Sequence, residues 1–311
     1  MENSTFAFYF DLTVFVNIGH YYFLAFIFCL LLYCFIVSAN LFMILVIFRH
    51  RILHEPMYIF IAFLSVNSLY GSVGFFPRFL MDLLSDTHLI SRPACFTQIY
   101  IIYTYGSYEM TILSIMAYDR YVAVCEPLHY HRKMTPTTVR RLVAFAWFCP
   151  AFVVATCLYL TIRLPLCGNL IPKVYCTIWK VAKLSCVDTS INNIVGLLMT
   201  TLTVILPLIY VLYTYLRIIL VCRRSSAEFK SKVFETCLPH TISFITYSVT
   251  IFSDVALSRF EIEKVSPVFA IILSLEFVTI PPVLNPIVYG LKLPEIRRHI
   301  VKMLPISKPF S

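Results

Sequence analysis

Charge is scarce in this chain. Of 311 residues only 13% are Asp, Glu, Lys or Arg, against 59% hydrophobic, and the mean hydropathy is +0.82. Soluble domains carry about a quarter charged residues, so an ordinary water-facing surface is excluded and the chain belongs in a lipid bilayer. Segments of about ten residues with alternating polarity, which a membrane barrel needs, are missing too. The apolar runs are continuous instead. About 20 apolar residues in a helix cross the roughly 30 Å of hydrocarbon, and seven such runs occur, near Tyr21–Phe48, Pro56–Leu84, Cys95–Val124, Val139–Leu160, Asn193–Leu220, Val233–Leu257 and Pro267–Leu291. The expected fold is an all-α membrane protein, a seven-transmembrane helix bundle.

Other absences narrow the reading. Residues 1–20 hold no Lys or Arg, so the first run lacks the basic leader of a signal peptide and reads as a retained span. No Gly/Ser-rich linker or low-complexity segment divides the spans, which predicts one domain over residues 1–311. It has an outer N-terminal segment (1–20), a bundle (21–291) and an inner tail (292–311). The internal repeats and paired broken helices of a transporter are not found. Neither is a HExxH run, a pair of acids or a nucleophile with its base; His54, Glu55 and His129 fall in loops, and catalysis is not expected.

The positive charges are unevenly placed. Seventeen of the 25 Lys and Arg lie in, or at the span ends bordering, the connections after spans one, three and five and the tail after span seven, and basic loops stay in the cytoplasm. The N-terminus is therefore expected outside and the C-terminus inside a multi-pass plasma-membrane protein. Basic residues beside anionic lipid account for the net charge of +9, and nucleic acid is not an expected partner. "NST" at Asn3 is an N-glycosylation pattern on the outer side.

Of eleven cysteines, Cys95, Cys167, Cys176 and Cys186 fall on the outer side, where an oxidising compartment lets them pair in any of three connectivities. The other seven fit small apolar packing roles, with Cys222 also a candidate for palmitate. Three of the outer cysteines share the long loop from Arg163 to Thr189, which reads as a stapled lid. Pro150, Pro207, Pro239, Pro281, Pro282 and Pro286 lie inside spans, where each removes a backbone donor.

Several stretches resemble one family. "DRY" closes span three in "MAYDRYVAVCEPLHY" and "NPIVY" closes span seven, a combination similar to rhodopsin-like G-protein-coupled receptors. Within that family, the whole span-three stretch, "LHEPMYIFIAFLS", "KVFETCLPH" and "PPVLNPIVYGLK" resemble odorant receptors, in the expected order from span two to the end. "SVNSLYGS" and "NPIVYGLKLPEIRRHI" are more like the fish-type receptors for water-borne odorants.

The resemblance implies a short cytoplasmic amphipathic helix after span seven. It also implies a small-molecule odorant bound in the outer half of the bundle, and a stimulatory or olfactory heterotrimeric G protein whose activation raises cyclic AMP. A rhodopsin-like receptor for a metabolite outside olfaction is the alternative, and a transporter a more distant one. The activation switch would comprise Asp119, Arg120, Tyr121, Tyr215, His240, Asn285, Pro286 and Tyr289. Asp119 neutralises Arg120 at rest, and Arg120 turns toward span five when span six swings outward. Relatives that clamp this arginine with an acid on span six differ here, where Lys230 stands. A snorkelling interfacial arginine is the bland reading of the same pair.

Ligand contacts are expected from Tyr103, Gly106, Ser107 and Met110 on span three and from Tyr247, Ser248, Ile251 and Val255 on span six, a mostly apolar lining with a few polar groups. The family usually has Tyr where Ser248 stands. Amine-sensing relatives place Asp where this chain has Ile102, so aminergic recognition through that position is not expected. Asp254, Glu276 and Arg78 are further candidates for the cavity rim.

Glu109 lies eleven residues before Arg120, near mid-bilayer, where an acid is costly and a functional candidate. The position usually held by Asp in the sodium site of relatives reads Ser68. Glu109, Ser68 and Asn285 are thus a possible sodium site with less charge, and a protonated, hydrogen-bonded Glu109 is the alternative.

Overall fold

A computed structural model describes residues 8–14, 22–260 and 267–303; Asn3 lies outside them. The helices are α1 (Tyr22–Arg49), α2 (Pro56–Leu84), α3 (Arg92–Cys125), α4 (Tyr130–Lys133), α5 (Pro136–Ile162), α6 (Ile178–Ala182), α7 (Ser190–Thr200), α8 (Leu206–Arg223), α9 (Ala227–Phe260), α10 (Pro267–Lys292) and α11 (Pro294–Met303). A π-helical turn, Thr201–Ile205, joins α7 to α8 into one long span. The seven spans are α1, α2, α3, α5, the α7–α8 unit, α9 and α10, and α11 is the amphipathic helix after the last of them.

Large apolar side chains point outward in a way that no water-soluble protein would tolerate. Phe148 and Phe152 are each 75% exposed on α5, and Leu24 and Phe28 stand out similarly on α1. Contiguous apolar surface of this kind faces lipid. α3 is the opposite case. From Gln98 to Met116 most of its residues are buried, including Thr104, Ser107 and Glu109, so it forms the axis on which the other spans pack. Among the described residues, five stretches are long and apolar enough to cross a membrane by composition alone. α3 and α9 are not among them; α3 carries Glu109, Asp119 and Arg120, and α9 carries Glu228, Lys230, Lys232 and Glu235.

The helix starts follow local rules. Pro56 occupies the first turn of α2. Ser91 caps α3 by accepting from the Ala94 N–H, and Thr135 caps α5 by accepting from Thr138, with Pro136 in the first turn. Inside α10, Pro286 has no N–H to give the Pro282 carbonyl one turn back. Asn40 of α1, fully buried, supplies the missing donor: its amide reaches the Pro282 oxygen at 2.9 Å. Pro207 similarly withholds a donor from Thr203, which lies within the π turn.

The all-α expectation needs one addition. Three short strands, β1 (Tyr9–Leu12), β2 (Leu89–Ser91) and β3 (Leu170–Ile171), form a sheet in the order β2-β1-β3, β1 antiparallel to β2 and parallel to β3. Phe10 and Leu12 are fully buried under it. Strands of two to four residues leave no periodic trace in a sequence.

Candidate functional site

A cavity of about 110 Å³ lies between α3, α5, the α7–α8 unit, α9 and α10, at the end of the bundle that carries the sheet. Its roof is the long connection between α5 and α7. Cys95 at the start of α3 is disulfide-bonded to Cys176, and Cys167 to Cys186 within the loop, which selects one of the three connectivities. Beside the first bond the Cys176 N–H donates to Gln98 Oε1 at 3.0 Å, and the Ile178 N–H donates to the Tyr103 hydroxyl at 3.3 Å. The loop is held down onto α3 and its short helix α6 faces the cavity.

The loop is also tied to α9. Lys173 Nζ lies 2.9 Å from Asp254 Oδ1, and the Tyr175 hydroxyl donates to the same oxygen at 2.6 Å. Burial, reinforced by the neighbouring Asp254 carboxylate, pushes the Tyr175 phenol well above its ordinary pKa, so it remains a donor.

Tyr103, Gly106, Ser107, Ile251 and Val255 lie on the cavity wall together with Asp254. Met110, Tyr247 and Ser248, also expected there, do not. Met110 is fully buried one turn further along α3. The Tyr247 hydroxyl donates to the Gly106 carbonyl at 2.5 Å, which turns it into α3. Ser248 donates to Phe244 O and borders a lipid-facing groove with Leu212 and Val249. Of the other rim candidates, Arg78 is engaged by Asp82 and by the Leu89 carbonyl, and Glu276 is half-buried away from the wall. Most of the wall was not foreseen: α5 and α7 alone supply Cys157, Leu160, Asn192, Val195, Gly196 and Met199. Gly196 was the available signal, a glycine in an apolar run where an added Cβ would meet nothing within 4 Å.

A polar cluster lies one turn beyond the cavity. Glu109, 1% exposed, accepts at Oε2 from Asn67 Nδ2 (2.8 Å) and at Oε1 from Asn285 Nδ2 (2.6 Å). Both carboxylate oxygens are thus satisfied by protein. Asn67 Oδ1 and the Ser68 hydroxyl are buried without hydrogen-bond partners, so the donor set fits a small cation: one carboxylate and two uncommitted oxygens beside it. Glu109→Gln keeps the shape but makes one asparagine reverse its amide, which is expected to cost about 1–2 kcal/mol. A fall of a few degrees in the melting temperature of detergent-solubilised protein checks this.

At the far end of the bundle Arg120 Nη2 and Nε contact Asp119 Oδ2 at 2.5 and 3.1 Å, while the Tyr130 hydroxyl donates to Asp119 Oδ1 at 2.8 Å. Asp119 is fully buried. Lys230 is exposed, and Arg120 has no acidic partner on α9 among the described residues. His240 bridges three spans: Nε2 lies 2.8 Å from the Leu113 carbonyl and Nδ1 2.5 Å from the Tyr215 hydroxyl. A carbonyl only accepts, so Nε2 carries the proton and Nδ1 accepts from Tyr215. Tyr289 and Asn285 of "NPIVY" are both buried in α10, and Tyr121 is half-buried.

Seven spans packed around a central α3, a disulfide from its start to the loop above, and an Asp-Arg pair at its end define a rhodopsin-like, G-protein-coupled receptor. The backbone is similar to that of squid rhodopsin, with a TM-score of 0.69 at 18% identity over 90% of this chain and 80% of that one. The family model for olfactory receptors matches residues 28–307. Human olfactory receptor 6N1 is 34% identical over 90% of this chain and 89% of its own length. Human olfactory receptor 10A5 is 35% identical over 89% and 87%, and mouse olfactory receptor 1M1 is 32% identical over 88% of each. The chain belongs to the olfactory receptor family.

Proposed function

We propose that this protein is an odorant receptor. It binds a small-molecule odorant in the cavity beneath the loop and activates a stimulatory heterotrimeric G protein, raising cyclic AMP. The N-terminus lies outside the cell and the C-terminal tail in the cytoplasm. The observation that carries this reading is the path from cavity to switch. α9 lines the cavity through Ile251, Asp254 and Val255, bonds to α3 through Tyr247, and reaches α8 through His240. A ligand that shifts α9 at one end therefore strains the His240–Tyr215 contact at the other, and Arg120 lies beside it on α3.

The cavity is comparable with those that hold a single aromatic ring, which supports a compact ligand. Gly196→Leu should fill it. The expected outcome in cells carrying a cyclic-AMP reporter is a loss of potency of at least about tenfold for every activating odorant, with surface expression unchanged. Unaltered responses would remove the cavity from the mechanism.

Glu109, Ser68 and Asn285 would hold a sodium ion in the polar cluster, where it supplies positive charge against the carboxylate in the resting bundle. Agonist potency in sodium and in choline buffer should differ for the natural chain and not for Glu109→Gln. The same sodium response in both would remove the site.

A further inference from the structure

The odorant reading leaves open what chemistry the cavity selects, and the hydrogen bonds on its wall bear on that. Most of its polar groups are already engaged. Thr161, Thr200 and Thr203 donate to the carbonyls of Cys157, Gly196 and Met199 one turn back, and the Tyr103 hydroxyl accepts from the Ile178 N–H. Three groups differ. Asn192 Nδ2 is buried with no acceptor. Ser107 has no side-chain hydrogen bond among the described residues. Asp254 takes both of its bonds, from Lys173 and Tyr175, on Oδ1, which leaves Oδ2 open among the described residues.

These groups sit at two levels. Ser107 follows Gly106, whose carbonyl receives Tyr247, and Asp254 lies seven residues, about 10 Å, further along α9. Between them the wall is apolar: Ile102, Leu160, Val195, Met199, Ile251 and Phe277.

Resting on the assignment of this cavity as the odorant site, we propose that it selects compact neutral alcohols and phenols, with the ligand hydroxyl donating to Asp254 Oδ2 and accepting from Asn192. The buried Asn192 donor is costly until a ligand supplies an acceptor, and the partly exposed Asp254 carboxylate offers an ionised acceptor, whose hydrogen bonds are among the stronger ones. A carboxylate ligand meets repulsion from Asp254, because Lys173 is engaged with that residue and does not reach the wall. An ammonium ligand fares little better: Lys173 already balances Asp254, so a further cation leaves net positive charge buried. Hydrocarbons leave all three groups unpaired.

The test uses full-length receptor in cells with a cyclic-AMP reporter and surface expression measured alongside. The probes are benzyl alcohol, phenol and hexan-1-ol, each against its matched aldehyde or methyl ether, amine, carboxylate and hydrocarbon. Alcohols and phenols should be the most potent members of each set. Asn192→Leu should weaken them by about tenfold or more while leaving weak aldehyde responses in place. Since Asp254→Asn alone strands a buried Lys173, the variant joining Lys173→Met with Asp254→Asn removes both charges, and it should weaken alcohols similarly. Aldehydes, ethers, amines or carboxylates outranking alcohols, or alcohol potency unmoved in both variants, overturns the selectivity while leaving the cavity as the odorant site. Responses that survive Gly196→Leu, or silence across the whole panel, overturn both.

Discussion

Replacing Cys95 with Ser is expected to cost about 4–5 kcal/mol and to remove most of the receptor from the cell surface. The Cys95–Cys176 bond closes a segment with a sequence separation of 81 residues, and loop-closure entropy for a link of that length is about 4.5 kcal/mol. The bond also positions the roof: without it the Cys176–Gln98 and Ile178–Tyr103 hydrogen bonds must hold the loop alone. Cys186→Ser opens a separation of only 19 residues, for which the same relation gives about 3 kcal/mol. Surface staining and thermal unfolding should therefore rank natural chain, Cys186→Ser and Cys95→Ser in that order. Equal behaviour of the two variants would show that the roof is held by its other contacts.

The second large effect lies at the opposite end. Asp119→Ala leaves the mostly buried Arg120 guanidinium without its counter-ion and Tyr130 without its acceptor. Breaking a buried pair from one side costs about 3–5 kcal/mol. No acid on α9 restrains Arg120 among the described residues, so Asp119 is its main tether, and the freed arginine should turn away from α3. The expected result is raised basal cyclic AMP per receptor at the surface, together with lower thermal stability. Tyr130→Phe removes one hydrogen bond and should cost about 1–2 kcal/mol with a smaller rise. Basal signalling unchanged in Asp119→Ala would mean that Arg120 is held by something other than this pair.

Much of this architecture was written in local pattern. Seven apolar runs gave seven spans, the second starting at Pro56 as expected, and Glu109 stood out as a lone acid in mid-span. What escaped the sequence was contact across distance. Nothing near Lys173 announces Asp254, 81 positions later, and nothing near Asn40 announces the carbonyl that Pro286 leaves open in α10. The cavity wall was legible only in part for the same reason. Helical spacing from Tyr103 picked out the α3 face correctly as far as Ser107. The inward turn of Tyr247 toward Gly106, and the contribution of α7, depend on how the helices are rotated against one another, which periodicity alone does not specify.

Strand β1 lies in the middle of its sheet, with β2 on one edge and β3 on the other. During synthesis residues 9–12 emerge some eighty positions ahead of their first partner and nearly one hundred and sixty ahead of their second. They must wait unpaired until both loops have been made and brought to the same end of the bundle. The ribosome thus makes the keystone of the roof before either wall exists, and a bulky fusion placed close to Tyr9 would hinder the last step of assembly.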